Sequence, residues 1–190
     1  VISYLNNYAG RVRDCLARLP FPELAKIVEL LAEKIGEGKQ ILVFGNGGSA
    51  ATASHFVCDL AKGVTAITGI RVKAIGLNDC IPLMTAWAND TSYEQVFQEP
   101  LANYLREGDA VIGITASGNS PNVLRAIEYA NQHGGTTIGW IGMGGGKLLK
   151  LVKHAIVVES KSYEEVEDVH LVIAHMIKMG LLEKLPRPRK

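Results

Sequence analysis

The sequence predicts an α/β fold with a doubly wound, five-stranded parallel sheet, and three observations carry that reading. Beyond residue 39, short apolar runs alternate with longer segments of helical periodicity, the order expected of successive βα units. The runs Ile41-Leu42-Val43-Phe44 and Ala110-Val111-Ile112-Gly113-Ile114 are continuously apolar, as strands are when helices cover both faces of their sheet. Two loops rich in glycine and hydroxyls, 45–49 and 115–120, follow directly on these runs. Ligands of such folds bind outside the carboxyl ends of the strands, at the switch point of the topology.

The elements follow in order. Two amphipathic helices come first, over 1–18 and 22–37, separated by Pro20-Phe21-Pro22, where proline ends one helix and can open the next. Their apolar faces exceed what one side of the sheet needs, so this extension is expected to serve assembly. The α/β core, 38–190, begins with strand 40–44 and, past the glycine loop, helix 48–62. Strand 71–75, helices 79–87 and 93–106, and strand 109–114 come next. Helix 120–132 has Asn119 or Ser120 as its cap and Pro121 at its first position. Gly134-Gly135 turns the chain into strand 136–140, and Gly144-Gly145-Gly146 leads into a short helix over 146–150. Strand 154–158 and helix 163–183 close the pattern, and the acidic run Glu164-Glu165 suits the first turn of that helix, where the macrodipole favours negative charge.

A chain of 190 residues, 47% hydrophobic and 21% charged, fits a single domain over 1–190. Its 20 basic residues balance 19 acidic ones, which gives no electrostatic footprint for direct nucleic-acid or membrane contact. Only the tail Pro186-Arg187-Pro188-Arg189-Lys190 is locally basic, and it reads as a solvated end. Cys15, Cys58 and Cys80 are odd in number and widely spaced, so they suggest no disulfide framework and a reducing compartment. With no signal-peptide pattern and no run of roughly 18 apolar residues, a cytoplasmic protein is expected.

The first loop, Gly45-Asn46-Gly47-Gly48-Ser49-Ala50, lets backbone N–H groups close on an anion at the next helix's N-terminus. It also satisfies a relaxed G-x-G-x-x-A pattern. The dinucleotide fingerprint wants an acidic residue about 20 positions on, however, and the chain offers Thr65 there, with Asp79 too far downstream. The second loop, Thr115-Ala116-Ser117-Gly118-Asn119-Ser120-Pro121, has the chemistry of an anion nest, and helix capping explains only one of its residues. Lys147 after Gly146 is no nucleotide P-loop, because Leu148 stands where that motif needs a hydroxyl.

His55 and Asp59 share one helical face by their i,i+4 spacing, and together form half of a zinc-type site. On the last helix Glu167 and His175 lie two turns apart and can face one cavity, with Glu165, Asp168 and His170 nearby.

Gly45-Asn46-Gly47-Gly48-Ser49-Ala50 with His55-Phe56, then Ser117-Gly118-Asn119-Ser120, then Val169-His170 and His175 resemble the sugar isomerase (SIS) domain family, in its phosphoheptose isomerase branch. The resemblance implies a homotetramer of flavodoxin-like subunits, strand order 2-1-3-4-5, with active sites at subunit interfaces. It implies conversion of sedoheptulose 7-phosphate to D-glycero-D-manno-heptose 7-phosphate for bacterial surface heptose synthesis. It also implies one Zn2+ per subunit held by His55, Asp59, Glu167 and His175. Asp59 stands where the family usually has glutamate, Glu167 where it has glutamine, Ala116 where a hydroxyl is common, and Lys62-Gly63 where relatives often carry Gly-Arg. A different phosphorylated ketose or aldose is therefore a second possible substrate.

The expected reaction is aldose–ketose isomerisation through an enediol, with Asp59 as base, His175 as acid and zinc as Lewis acid. The expected substrate-binding set is Asn46, Gly47, Gly48, Ser49, Asn89, Asp90, Thr115, Ser117, Asn119 and Ser120. A rival of another class is a non-catalytic tetrameric SIS protein that binds phosphosugars or associates with a replication initiator. The retained set His55, Asp59, Glu167 and His175 argues for catalysis.

Overall fold

The strands β1 (Gln40–Gly45), β2 (Lys73–Gly76), β3 (Ala110–Thr115), β4 (Thr136–Ile141) and β5 (His154–Val157) form one parallel sheet of order β2-β1-β3-β4-β5 in a computed structural model that describes residues 1–187. The part of the basic tail at 188–190 lies outside the described residues. The chain leaves β1 toward β2 on one side and returns to β3 on the other, so the switch point falls between β1 and β3. Their register pairs Gly45 with Ile114, so the loops that follow the two strands start side by side.

The continuous apolar strands are explained by two separate cores. Ile41, Val43, Ile112, Ile114, Ile138 and Trp140 point to one face, and Leu42, Phe44, Val111 and Ile141 to the other. Helices α2 (Phe21–Gly36), α3 (Gly48–Cys58) and α8 (Tyr163–Lys184) cover the first face through Ile27, Leu31, Phe56, Val169, Ile173 and Ile177. On the second lie α5 (Ile81–Asp90), α6 (Gln98–Tyr104) and α7 (Pro121–Gln132), contributing Leu101, Val123 and Ile127. Each such fully buried side chain stabilises the fold by roughly 1.5–3 kcal/mol.

Helix α1 (Ile2–Ala17) buries only Cys15 of its own residues and leaves Ile2, Tyr4 and Leu5 exposed. It is held to the start of α8 by polar contacts instead. Tyr8 Oη donates to Asp168 Oδ2 at 2.6 Å, and Arg11 Nε donates to Glu165 Oε1 at 2.6 Å.

Three expected helices are revised. The one expected over 93–106 is broken into a 3₁₀ turn, Tyr93–Gln95, and α6. Pro100 has no N–H for the Val96 carbonyl and its ring would crowd that carbonyl, so a continuous helix cannot pass. The helix expected over 48–62 runs on through π-helical turns, Asp59–Val64, into α4 (Thr65–Thr68), and stops only at left-handed Gly69. The short helix near 146–150 is a 3₁₀ turn, Leu148–Lys150.

Candidate active site

At the switch point a cavity of about 130 Å³ is lined by Asn46 and Ser49 from the first loop, Thr115, Ser117 and Ser120 from the second, and Tyr163 and Glu167 from α8. Gly47 caps α3 with a positive φ of 54°, which turns the chain so that the first N–H groups of the helix face the loop. In the second loop Thr115 Oγ1 lies 3.1 Å from Ser120 Oγ and 3.5 Å from Ser117 Oγ. Ser120 is the N-cap of α7, yet its side chain makes no cap hydrogen bond, because the hydroxyl turns to Thr115 instead. Three hydroxyls thus gather at the mouth of a helix whose dipole favours an anion.

Asn46 is fixed by a reciprocal pair: its Nδ2 donates to Asn122 Oδ1 and Asn122 Nδ2 donates back to its Oδ1, both at 2.9 Å. Tyr93 Oη donates to the same Oδ1 at 3.0 Å. Asn119 braces the loop, with Nδ2 donating to the Ser117 carbonyl at 2.9 Å and Oδ1 accepting from Lys147 N at 3.1 Å. It does not line the cavity. Asn89 and Asp90, expected to touch substrate, sit exposed at the end of α5, where Asn89 Nδ2 donates to Asp90 Oδ1 at 2.8 Å; they are not brought to the cavity.

A second cluster joins the helix that follows the first loop to α8. His55 Nε2 stands 2.9 Å from His175 Nε2, and each is 3.6 Å from Asp59 Oδ2. These three residues form the one group with cation-binding geometry among the described residues. Asp59 Oδ2 is buried and accepts no hydrogen bond, while Oδ1 accepts one from Lys178 Nζ at 2.6 Å. Asp59 also opens the π-helical stretch, and such departures from α-winding recur at functional sites.

Glu167, expected as the fourth ligand, is not brought to this cluster. It precedes His175 by eight residues, about 12 Å of rise along α8. Its carboxylate lies instead against Gly48 in the phosphate-loop cavity. Burial, and then the charges of Glu164 and Asp168, hold its carboxyl above the usual range. Sequence reasoning missed Tyr163, Asn122 and Lys178. Lys178 alone left a signal, its place one turn beyond His175 on the same helix.

Hydroxyl-lined loops at the switch point of a parallel sheet define a class of α/β protein suited to gripping a phosphorylated small molecule. Comparison with known proteins narrows that class. Residues 4–142 match the SIS domain family. The chain is 37% identical over 174 residues to phosphoheptose isomerase of Geotalea daltonii, covering 92% of this chain and 90% of that one. It is 36% identical over 180 residues to the enzyme of that name from Chlorobium limicola, covering 94% and 84%. Among solved structures it is similar to a phosphoheptose isomerase from Francisella tularensis, with a TM-score of 0.88, 26% identity and 96% of each chain covered. The Neisseria gonorrhoeae phosphoheptose isomerase gives 0.86 at 26% identity, covering 95% and 96%. The chain belongs to the SIS domain family and, within it, to the phosphoheptose isomerases, which are sugar-phosphate isomerases.

Proposed function

We propose that this chain interconverts sedoheptulose 7-phosphate and D-glycero-D-manno-heptose 7-phosphate through an enediol, with zinc assistance. The observation that carries the reading is the convergence of His55, Asp59 and His175 from two helices that also line the hydroxyl-rich cavity, through Ser49 and Glu167.

The donor set suits zinc. Two nitrogens on one tetrahedral zinc, with bonds of about 2.0–2.1 Å, stand about 3.3 Å apart. The separations of 2.9 and 3.6 Å bracket that value. The buried, unpartnered Asp59 Oδ2 is an acceptor that a cation would satisfy. His55, Asp59 and His175 would hold the ion, and three protein ligands leave a position open, the pattern of catalytic rather than structural zinc. Zinc bound there would supply Lewis-acid polarisation of the sugar oxygens.

The chain's own residues account for the proton movements. Ser49, Thr115, Ser117 and Ser120 bind the phosphate and fix the far end of the sugar. In the ketose-to-aldose direction Asp59, with Oδ2 free of the ion, would take a proton from C1, and His175, protonated and off the ion, would deliver one to the C2 carbonyl oxygen, giving the enediol. Loss of the O1 proton and return of a proton to C2 complete the aldose, with no net gain or loss of protons. Glu167, facing the phosphate-loop cavity, is placed to meet the substrate.

Assembly as a homotetramer is part of the same proposal. The exposed Ile2, Tyr4 and Leu5 of α1, and a groove between α2 and α8 lined by Phe21, Leu24, Val28 and Met176, support it. Cys15, Cys58 and Cys80 are unpaired, which supports a reducing cytosolic setting, and no helix among the described residues is long and apolar enough to cross a membrane. Incubation of the purified chain with sedoheptulose 7-phosphate, followed by NMR, is expected to reveal aldose product. Absence of product from the zinc-loaded protein overturns the assignment of sedoheptulose 7-phosphate as the substrate.

A further inference from the structure

Lys178 has no part in that chemistry, yet it is built into the site. Its ammonium donates to Asp59 Oδ1 at 2.6 Å, and both side chains are mostly buried, at 24% and 13% exposure. Its stem passes over Gly63, where a β-carbon would stand 2.9 Å from Lys178 Cε and 3.1 Å from Nζ. Glycine at 63 therefore leaves the room that the lysine occupies. The two oxygens of Asp59 are thereby made unequal: Oδ1 is capped by an ammonium, whereas Oδ2 has no hydrogen-bond partner and lies beside the two histidine nitrogens.

We infer that Lys178 is a positioning residue which holds Asp59 through Oδ1, so that Oδ2 alone is presented to a divalent cation between His55 and His175. The inference rests on the cation-binding reading above. A free carboxylate rotates about its Cβ–Cγ bond and can chelate through both oxygens, which would fill the position that the substrate needs. A charge-assisted hydrogen bond to one oxygen removes that freedom. The lysine has two opposed effects on a bound cation. Its charge repels the ion, while its grip orders the ligand. Residues that orient ligands in this way typically change metal affinity by about 10–100-fold, and here the carboxylate stands between the ammonium and the histidines, so ordering outweighs repulsion.

The test is zinc affinity, measured by competition with a chromophoric chelator, and the visible spectrum of the cobalt(II)-loaded protein. Lys178→Met keeps the length of the stem and removes the charge; it is expected to weaken zinc binding by about 10–100-fold and to alter the cobalt ligand-field bands. Gly63→Ala, which leaves the lysine in place but crowds it off Asp59, is expected to shift both readouts in the same direction. It carries the test if Lys178→Met fails the circular-dichroism check of folding. Tight zinc binding by the wild type with unchanged or tighter binding in both variants overturns this inference alone. A wild type that binds no zinc overturns the cation reading itself, and this inference with it.

Discussion

The carboxylate of Glu167 occupies the space in front of Gly48 where any other residue would carry its β-carbon. Gly48 is the first residue of α3, so this contact sets the last helix against the phosphate loop. Alanine is intrinsically about 1 kcal/mol better than glycine in a helix. Gly48→Ala is therefore expected to leave the melting temperature close to wild type while displacing Glu167 and the loop. A displacement near 1 Å commonly reduces turnover by about 10²-fold. Parallel measurement of kcat/KM and thermal melting checks this, and activity equal to wild type would show that the contact is incidental.

His170 gives a pH dependence. Burial pushes its imidazole down to about 4 from an ordinary 6.5. Between these values the unfolded chain takes up a proton that the native protein refuses, so stability falls as pH drops from 6.5 toward 4, by about 3 kcal/mol in all. His170→Leu is expected to flatten that slope, measured by urea unfolding of the chelator-treated protein. Glu23 beside His154 and Glu165 beside Arg11, both held below the usual carboxylate range, contribute stability that is lost only as pH falls below about 4.5.

Ser117 tests the anion loop. Its Oγ accepts from Asn119 N at 3.2 Å and lies beside Thr115, while the rest of the loop is braced by Asn119. Ser117→Ala should weaken phosphosugar binding by about 0.5–1.5 kcal/mol, the scale of one neutral hydrogen bond, with the fold intact. Calorimetric titration giving unchanged affinity in both Ser117→Ala and Ser120→Ala would remove the loop from the binding site.

Asp59 and His175 separate base from metal. Asp59→Asn should lower kcat by about 10² or more while phosphate-loop affinity persists. His175→Ala should abolish turnover and lose bound zinc with little change in secondary structure. Elemental analysis beside the isomerase assay distinguishes the roles: full activity in chelator would leave Asp59 and His175 as a metal-free acid–base pair.

Assembly is tested at α1. Light scattering at micromolar concentration is expected to give a tetramer, and a charge introduced into the exposed apolar stripe, as in Leu5→Asp, to shift it toward smaller species. A stable wild-type monomer would refute the role given to the N-terminal helices.

The sheet was legible because its strands are buried on both faces, so runs such as Ile41–Phe44 need no partner sequence to be recognised. Both anion loops were legible for a similar local reason, since glycines and hydroxyls at strand ends have few other uses. The π-helical winding was not. Phe56, Leu60 and Val64 recur every four residues, a spacing that ordinary α-helix also satisfies. The partner of Asp59 was hidden for a different reason: Lys178 is one more lysine near the end of an amphipathic helix, and its pairing across 119 positions depends on how α8 crosses α3 and its π-helical continuation. Glu167 was misplaced because eight residues along a helix share a face without sharing a height. The break at Val96 was within reach, as Pro100 announces it.

The π-helical turns, Asp59–Val64, have a consequence for how insertions and deletions fall in this chain. A π turn closes its hydrogen bonds over five residues instead of four, so it accommodates an extra residue that the flanking α-turns do not. Deleting one residue between Leu60 and Lys62 can let the segment rewind as regular α-helix and keep both flanks in phase with the core. The same deletion inside Gly48–Cys58 would rotate everything beyond it by about 100°, the turn per residue of an α-helix. The shortened chain is therefore expected to fold while shifting Gly63, over which Lys178 reaches Asp59, which makes this stretch a place where activity can be altered without surrendering the architecture.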